Sequence, residues 1–204
     1  MKNFNNQKNK KGGYTILETM ISLSIFLIII LSGMSSLLNA NIVYNRSNSF
    51  RTVLDNLSFI VEDISRNLRT GYNVRCVDDG NYSTSQDVPK SCSLGGGIIF
   101  ESDVGSAVST GDQWIYKVES PNGVDFGIYK STNGGTSFNS MTVATVYLDS
   151  SSGFSVLGAP SSQASPQDSQ QPLTTIKLSG WITHKGVNIP FSLQTSVSQR
   201  RLDI

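Results

Sequence analysis

Cysteine and histidine are nearly missing from this 204-residue chain, which has two of the first and one of the second. That excludes zinc sites built from several Cys and His ligands, and it excludes a disulfide-dense miniprotein. Charge is also sparse, at 15% of residues, and the 16 Lys+Arg nearly balance the 15 Asp+Glu. Composition therefore provides no polybasic surface for nucleic acid. G-x-S-x-G, H-E-x-x-H, the phosphate-binding P-loop and the dinucleotide glycine fingerprint are all absent. The lone His184 stands beside Lys185 and Gly186 with no acid at catalytic spacing. No set of residues supports an enzyme, and no cofactor is implied. What is present, 38% apolar residues with nine Phe, seven Tyr and two Trp, is enough for one ordinary core.

The extra material lies at the N-terminus. Residues 1–13 hold Lys2, Lys8, Lys10 and Lys11 and no acid, and form a short basic leader. From Thr19 to Leu38 come twenty uncharged positions: thirteen apolar, five Ser, one Thr and Gly33. As a helix they cover about 30 Å, the thickness of a bilayer's hydrocarbon. The lysines precede the span, which places the N-terminus in the cytoplasm and everything after Leu38 outside. A secretory signal peptide competes with this reading. Its cleavage site would need a small residue where Leu38 stands in Leu38-Asn39-Ala40. Glu18 is the anomaly, since a carboxylate at the edge of an apolar helix costs on the order of 3 kcal/mol in lipid. It either lies in the helix's first turn, near the positive end of the macrodipole and interfacial water, or has a partner.

The run Gly12-Gly13-Tyr14-Thr15-Ile16-Leu17-Glu18-Thr19-Met20-Ile21 resembles the class III signal of type IV pilins and type II secretion pseudopilins. In that family a basic leader ends in Gly, a hydrophobic residue follows, and a Glu occupies the fifth mature position. Gly13, Tyr14 and Glu18 fill those roles in register, although Phe or Met is more frequent than Tyr after the cut. The resemblance implies that a membrane-embedded prepilin peptidase cuts between Gly13 and Tyr14 and methylates the new Tyr14 amine. Lys8, Lys10 and Lys11 supply the leader charge. It also implies a partner for Glu18, the free N-terminal amine of a neighbouring subunit, in a medium where opposite charges attract strongly. Loss of the leader leaves 12 Lys+Arg against 15 acids, a formal charge of minus three.

The helix is expected to continue from Tyr14 to Thr70, about 85 Å, with no proline to interrupt it. Val43, Phe50, Val53, Leu54, Leu57, Ile60, Val61, Ile64 and Leu68 follow three-and-four spacing, opposite Arg46, Asn48, Glu62 and Arg66. Arg66 and Arg69 suit the C-terminal end, and Gly71 is expected to take the left-handed stop. The expected division is a leader over 1–13, a membrane or filament-core half over 14–38, an amphipathic half over 39–71, and a β-rich head over 72–204.

In the head, strands are expected at Gly97–Glu101, Trp114–Glu119, Val124–Lys130, Thr142–Leu148 and Phe154–Leu157. Thr174–Thr183 and Val187–Val197 should form a closing hairpin, and Pro121-Asn122-Gly123 a tight turn. Thr142–Leu148, apolar on both faces, reads as a central strand. Ala159–Pro172, rich in Ser, Gln and Pro, reads as a mobile surface loop. The fold class is α+β: an antiparallel sheet laid over the apolar face of a long helix.

Cys76 and Cys92 enclose fifteen residues in a segment read as extracytoplasmic, where a structural disulfide is permitted. Between them Asp78, Asp79, Asn81 and Asp87 are oxygen donors suited to calcium, but they match no EF-hand spacing and read better as turn residues. Ser131 to Phe138 faintly resembles the Asp-box turn of β-propellers; a single glycine turn explains it. Trp114 and Trp181 could stack on a sugar, although lone aromatics in strands more often serve a core or an interface. These signals converge on a structural subunit, a minor pilin or pseudopilin. The long Ser-rich loop favours a low-copy tip position. Strand texture, including Phe191 to Arg200, resembles J-class minor pseudopilins and PilW-type minor pilins. The partners this implies are prepilin peptidase, other pilin or pseudopilin subunits, an inner-membrane assembly platform, and the lipid bilayer before assembly. A head of charge minus three disfavours indiscriminate DNA binding. The competing reading is an uncleaved single-span protein whose outer β domain binds a ligand such as cell-wall glycan.

Overall fold

The computed structural model describes residues 12–82, 88–106, 109–120, 123, 125–160, 170–184 and 186–200. By its contacts the chain divides into two units, Met1–Ser47 and Asn48–Ile204.

One helix, α1, runs from Ile16 to Thr70. In the first unit it opens on Thr15, whose Oγ1 accepts the Glu18 amide at 3.3 Å, the bond of an N-cap residue. Every residue from 12 to 48 is exposed. Three hydroxyls of this apolar stretch bond back to the helix's own carbonyls: Thr19 Oγ1 donates to Ile16 O, Ser24 Oγ to Met20 O and Ser32 Oγ to Ile28 O, each at 2.8 Å.

In the second unit the same helix changes character. Val53, Leu57, Ile60, Ile64 and Leu68, three or four residues apart, are buried along one side. Phe50, Leu54 and Val61 flank them half-buried, whereas Val43 is exposed. Phe59 breaks the pattern as a large exposed apolar residue. The helix does not end on a left-handed Gly71. The positive φ falls instead on Asn73, at 54°. Gly71 is needed for space, because a Cβ there would lie 2.5 Å from Phe100 Cδ2 and 2.8 Å from the Glu101 carbonyl.

Among the described residues ten strands follow: β1 (Tyr72–Val77), β2 (Cys92–Gly95), β3 (Gly97–Glu101), β4 (Trp114–Glu119), β5 (Gly127–Ser131), β6 (Asn139–Ser140), β7 (Val146–Leu148), β8 (Gly153–Leu157), β9 (Leu173–His184) and β10 (Val187–Ser198). They form two antiparallel five-stranded sheets, β1-β3-β4-β5-β6 and β10-β9-β8-β2, with β7 also paired to β9. The α+β class holds, with two sheets in place of one.

Both sheets contribute to one core with α1. Phe100, Tyr116 and Ile128 come from the first sheet and Phe154, Ile176, Leu178 and Ile182 from the second, around Leu57, Ile60 and Ile64. Burying each such aliphatic side chain contributes roughly 1.5–3 kcal/mol. On the other face of the first sheet Val77, Ile99 and Ile115 form a small second cluster with Tyr82 and Phe138.

The expected strand at Thr142–Leu148 shrinks to Val146–Leu148, joined laterally to the upper part of β9. Val146 and Leu148 are buried and Tyr147 is not, so the strand is half-buried rather than central. It approaches β9 across Gly180, where a Cβ would meet the Tyr147 carbonyl at 2.0 Å. The closing hairpin keeps continuous register from Val187↔His184 to Ser198↔Leu173. The ends of the Ser-rich loop are anchored, with Ala159 and Pro172 buried and the Ala159 amide bonded to Ser91 Oγ at 3.0 Å. Residues 161–169 of that loop, and Pro121 and Asn122 of the expected turn, lie outside the described residues.

Candidate functional site

The N-terminal residues singled out by sequence are adjacent along one short stretch. Gly12, Gly13 and Tyr14 precede the helix and are exposed, and a Cβ on either glycine would meet no atom within 4 Å. The Gly13–Tyr14 bond thus lies in exposed chain just before the helix. Glu18 is the third residue of α1, on the same turn as the amides that Thr15 begins to cap. Tyr14, Glu18, Thr19, Ser22, Leu23 and Phe26 line a shallow groove on the helix surface. The segment is long and apolar enough to cross a membrane. Lys8, Lys10 and Lys11 lie outside the described residues.

Residues 8–34 match the family model described as the prokaryotic N-terminal methylation motif. The chain carries a prepilin-type N-terminus. The matched stretch contains the Gly13–Tyr14 bond, Glu18 and the start of the apolar helix together. No curated protein and no solved structure matches the chain. A prepilin-type signal points to a structural subunit of pilin type rather than to an enzyme, and its apolar helix fits a membrane-anchored form.

Beyond the helix, a disulfide joins Cys76 on β1 to Cys92 on β2, with Cα atoms 5.8 Å apart. It ties the first sheet to the second, because β1 pairs with β3 and β2 with β8. Asp78 and Asp79 each have a partner of their own. Asp78 pairs with Lys90, whose hydrogen bond holds the Asp78 carboxyl below its ordinary value. Asp79 Oδ1 accepts the Asn81 amide at 2.9 Å. Asp87 lies outside the described residues, and among those described no three His, Cys, Asp or Glu side chains group as metal ligands.

The run from Ser131 to Phe138 is a turn between β5 and β6, bonded outward where the Gly134 amide donates to Gln113 O at 3.1 Å and packed through Phe138 on the small cluster. Ser131 Oγ accepts the Gly135 amide at 3.0 Å and Asn133 Oδ1 the Ser137 amide at 3.1 Å. Trp114 packs toward the interior, its ring 6.4 Å from Phe100 and 4.5 Å from Lys130 Nζ. Trp181 lies elsewhere, stacked on Tyr147. The His184 side chain and Lys185 lie outside the described residues.

Sequence reading missed the tether between α1 and the first sheet. Asp63 Oδ2 accepts the Tyr116 hydroxyl at 2.7 Å and Lys130 Nζ at 2.8 Å, while Asn67 Nδ2 donates to the Tyr116 oxygen at 2.9 Å. Burial, reinforced by the hydrogen bond to Asp63, pushes the Tyr116 phenol far above its ordinary value. Asp63 sits one position from the buried Ile64 on the helical wheel's flank, a place where a carboxylate invites the search for a cation on a facing strand.

Proposed function

We propose that the chain is a minor pilin or pseudopilin, cut by prepilin peptidase between Gly13 and Tyr14, methylated on the Tyr14 amine, and assembled into a type IV pilus or a type II secretion-like pseudopilus. The observation that carries this reading is the motif match over residues 8–34 with Gly13, Tyr14 and Glu18 in register. Before assembly the apolar stretch lies in the bilayer, with the N-terminus cytoplasmic and the head outside. During assembly its exposed side chains exchange lipid for the helices of other subunits. Glu18 then accepts the terminal amine of a neighbour and sets the axial step, a pairing far stronger there than in water. The internal bonds of Ser24 and Ser32 support this reading, because those two hydroxyls need no partner in either surrounding.

Intact mass of the membrane-extracted chain, from cells with and without prepilin peptidase, tests the processing. The expected product begins at Tyr14 and carries one added methyl group, and Gly13→Asp keeps the leader. Glu18→Ala is expected to mature yet be lost from sheared fibres, where co-purification of wild type identifies the neighbours. A leader retained in peptidase-positive cells would replace this reading with the uncleaved single-span protein.

A further inference from the structure

The outer face of the second sheet presents a row of flat apolar groups. In β9 the even positions Ile176, Leu178 and Ile182 are buried, and the odd positions Lys177, Ser179 and Trp181 alternate to the other face and are half-exposed. β7 follows the same rule, with Val146 and Leu148 inward and Tyr147 outward. On β10 the even positions, Pro190 among them, are exposed. Register sets Tyr147 opposite Trp181, and Trp181 opposite Pro190. Three neighbouring strands therefore carry Tyr147, Trp181 and Pro190 side by side, away from the core. The Tyr147 and Trp181 rings are 6.1 Å apart between centroids and within 18° of parallel.

Polar groups border the row on both sides. Two residues along each strand stand Asp149 and Ser179, with Ser192 opposite Ser179. Asp149 Oδ1 accepts the Ser151 amide at 2.8 Å and the Ser151 hydroxyl at 2.6 Å, and lies 3.2 Å from Ser179 Oγ. The Ser151 hydroxyl holds the Asp149 carboxyl below its ordinary value, so it is an anionic acceptor at neutral pH. On the far side Thr183 Oγ1 donates to Asn188 Oδ1 at 2.8 Å.

We propose that Tyr147, Trp181 and Pro190, rimmed by Asp149, Ser179 and Thr183, form a platform for a neutral oligosaccharide. The C–H face of a pyranose packs on flat aromatic surface, and its hydroxyls reach donors and acceptors at the edge. Two strand spacings, about 10 Å, suit a short run of sugar rings laid across the strands. Asp149 and Lys177 bring opposite charges to the same region and match a neutral chain better than a polyanion. Nucleic acid would need a cluster of cations for its phosphates, which the described residues of this face do not provide. A protein partner would need far more apolar area than three residues expose.

The experiment titrates the full chain in detergent with cellotetraose, tetra-N-acetylchitotetraose and mannotetraose, with polygalacturonate as the acidic comparison. Calorimetry and tryptophan fluorescence read binding. At least one neutral tetrasaccharide is expected to bind with Kd of about 1 mM or tighter. Trp181→Ala and Tyr147→Ala each weaken it roughly ten-fold and Asp149→Asn about three-fold, while the inward-facing Trp114→Phe leaves it unchanged. Thermal melts and an intact disulfide establish that each variant is folded, and Trp181→Phe, which keeps a flat ring, retains most of the affinity. The proposal is overturned by silence with all three neutral sugars up to about 10 mM, by binding indifferent to Trp181 and Tyr147, or by binding of polygalacturonate alone. Loss of sugar binding and loss of fibre assembly are read separately, so failure of one leaves the other standing.

Discussion

Leu27 and Leu57 occupy the same helix, yet one is 50% exposed and the other fully buried. Around Leu27 apolar side chains point in every direction; around Leu57 they keep to one side, and Asp55, Glu62 and Arg66 are exposed on the other. A helix apolar all round needs an apolar surrounding supplied from outside, whereas an amphipathic one builds its core with its own chain. One element thus serves two solvents, and the change of pattern near Ser49 marks where the chain begins to pack on itself.

Matched substitutions break that comparison most sharply. Leu57→Asp is expected to unfold the head, at a cost of at least about 4 kcal/mol, because it buries a charge without a partner. Leu27→Asp should leave the head's melting temperature unchanged and weaken membrane partitioning by roughly 3 kcal/mol, read by detergent extraction and flotation. If both lowered the head's stability equally, the division between the two halves would be wrong.

Cys76→Ser with Cys92→Ser comes next, with an expected loss of about 3 kcal/mol in denaturant unfolding and no change in leader cleavage. Asp63→Asn removes the anion that meets Lys130 and Tyr116, and about 1–2 kcal/mol should disappear with it. The smallest effect is a pH dependence. Burial raises the phenol of Tyr82 to about 12 and that of Tyr116 further, so the folded chain keeps protons that the unfolded chain releases near pH 10. The contribution is therefore complete below pH 10 and declines above it. Tyr116→Phe should flatten that alkaline decline in chemical denaturation, and an unaltered slope would show that the phenol is not shielded.

The prepilin-type signal and the helix were legible because each is local: a glycine ending a basic run, one acid in an apolar run, and a three-and-four spacing from Val53 to Leu68. The closing hairpin was legible too, since Ile189, Phe191, Leu193 and Val197 alternate along a single strand. The other features depend on contacts remote in sequence. The second sheet forms because β2 joins β8 across some sixty residues, which no periodicity announces. The Asp63 tether needs Tyr116 and Lys130 from two strands. Gly71 has the look of a helix stop, but it serves the close approach of Phe100, which only the fold brings near. Thr142–Leu148 reads as a long apolar strand, yet the strand that pairs with β9 is confined to Val146–Leu148. Trp114 and Trp181 are alike in sequence texture, and strand parity sends one inward and the other out.

Ser24 and Ser32 bend their hydroxyls back onto the helix's own carbonyls. These two side chains carry their hydrogen bonds with them, so a change of the helix's surroundings breaks neither bond.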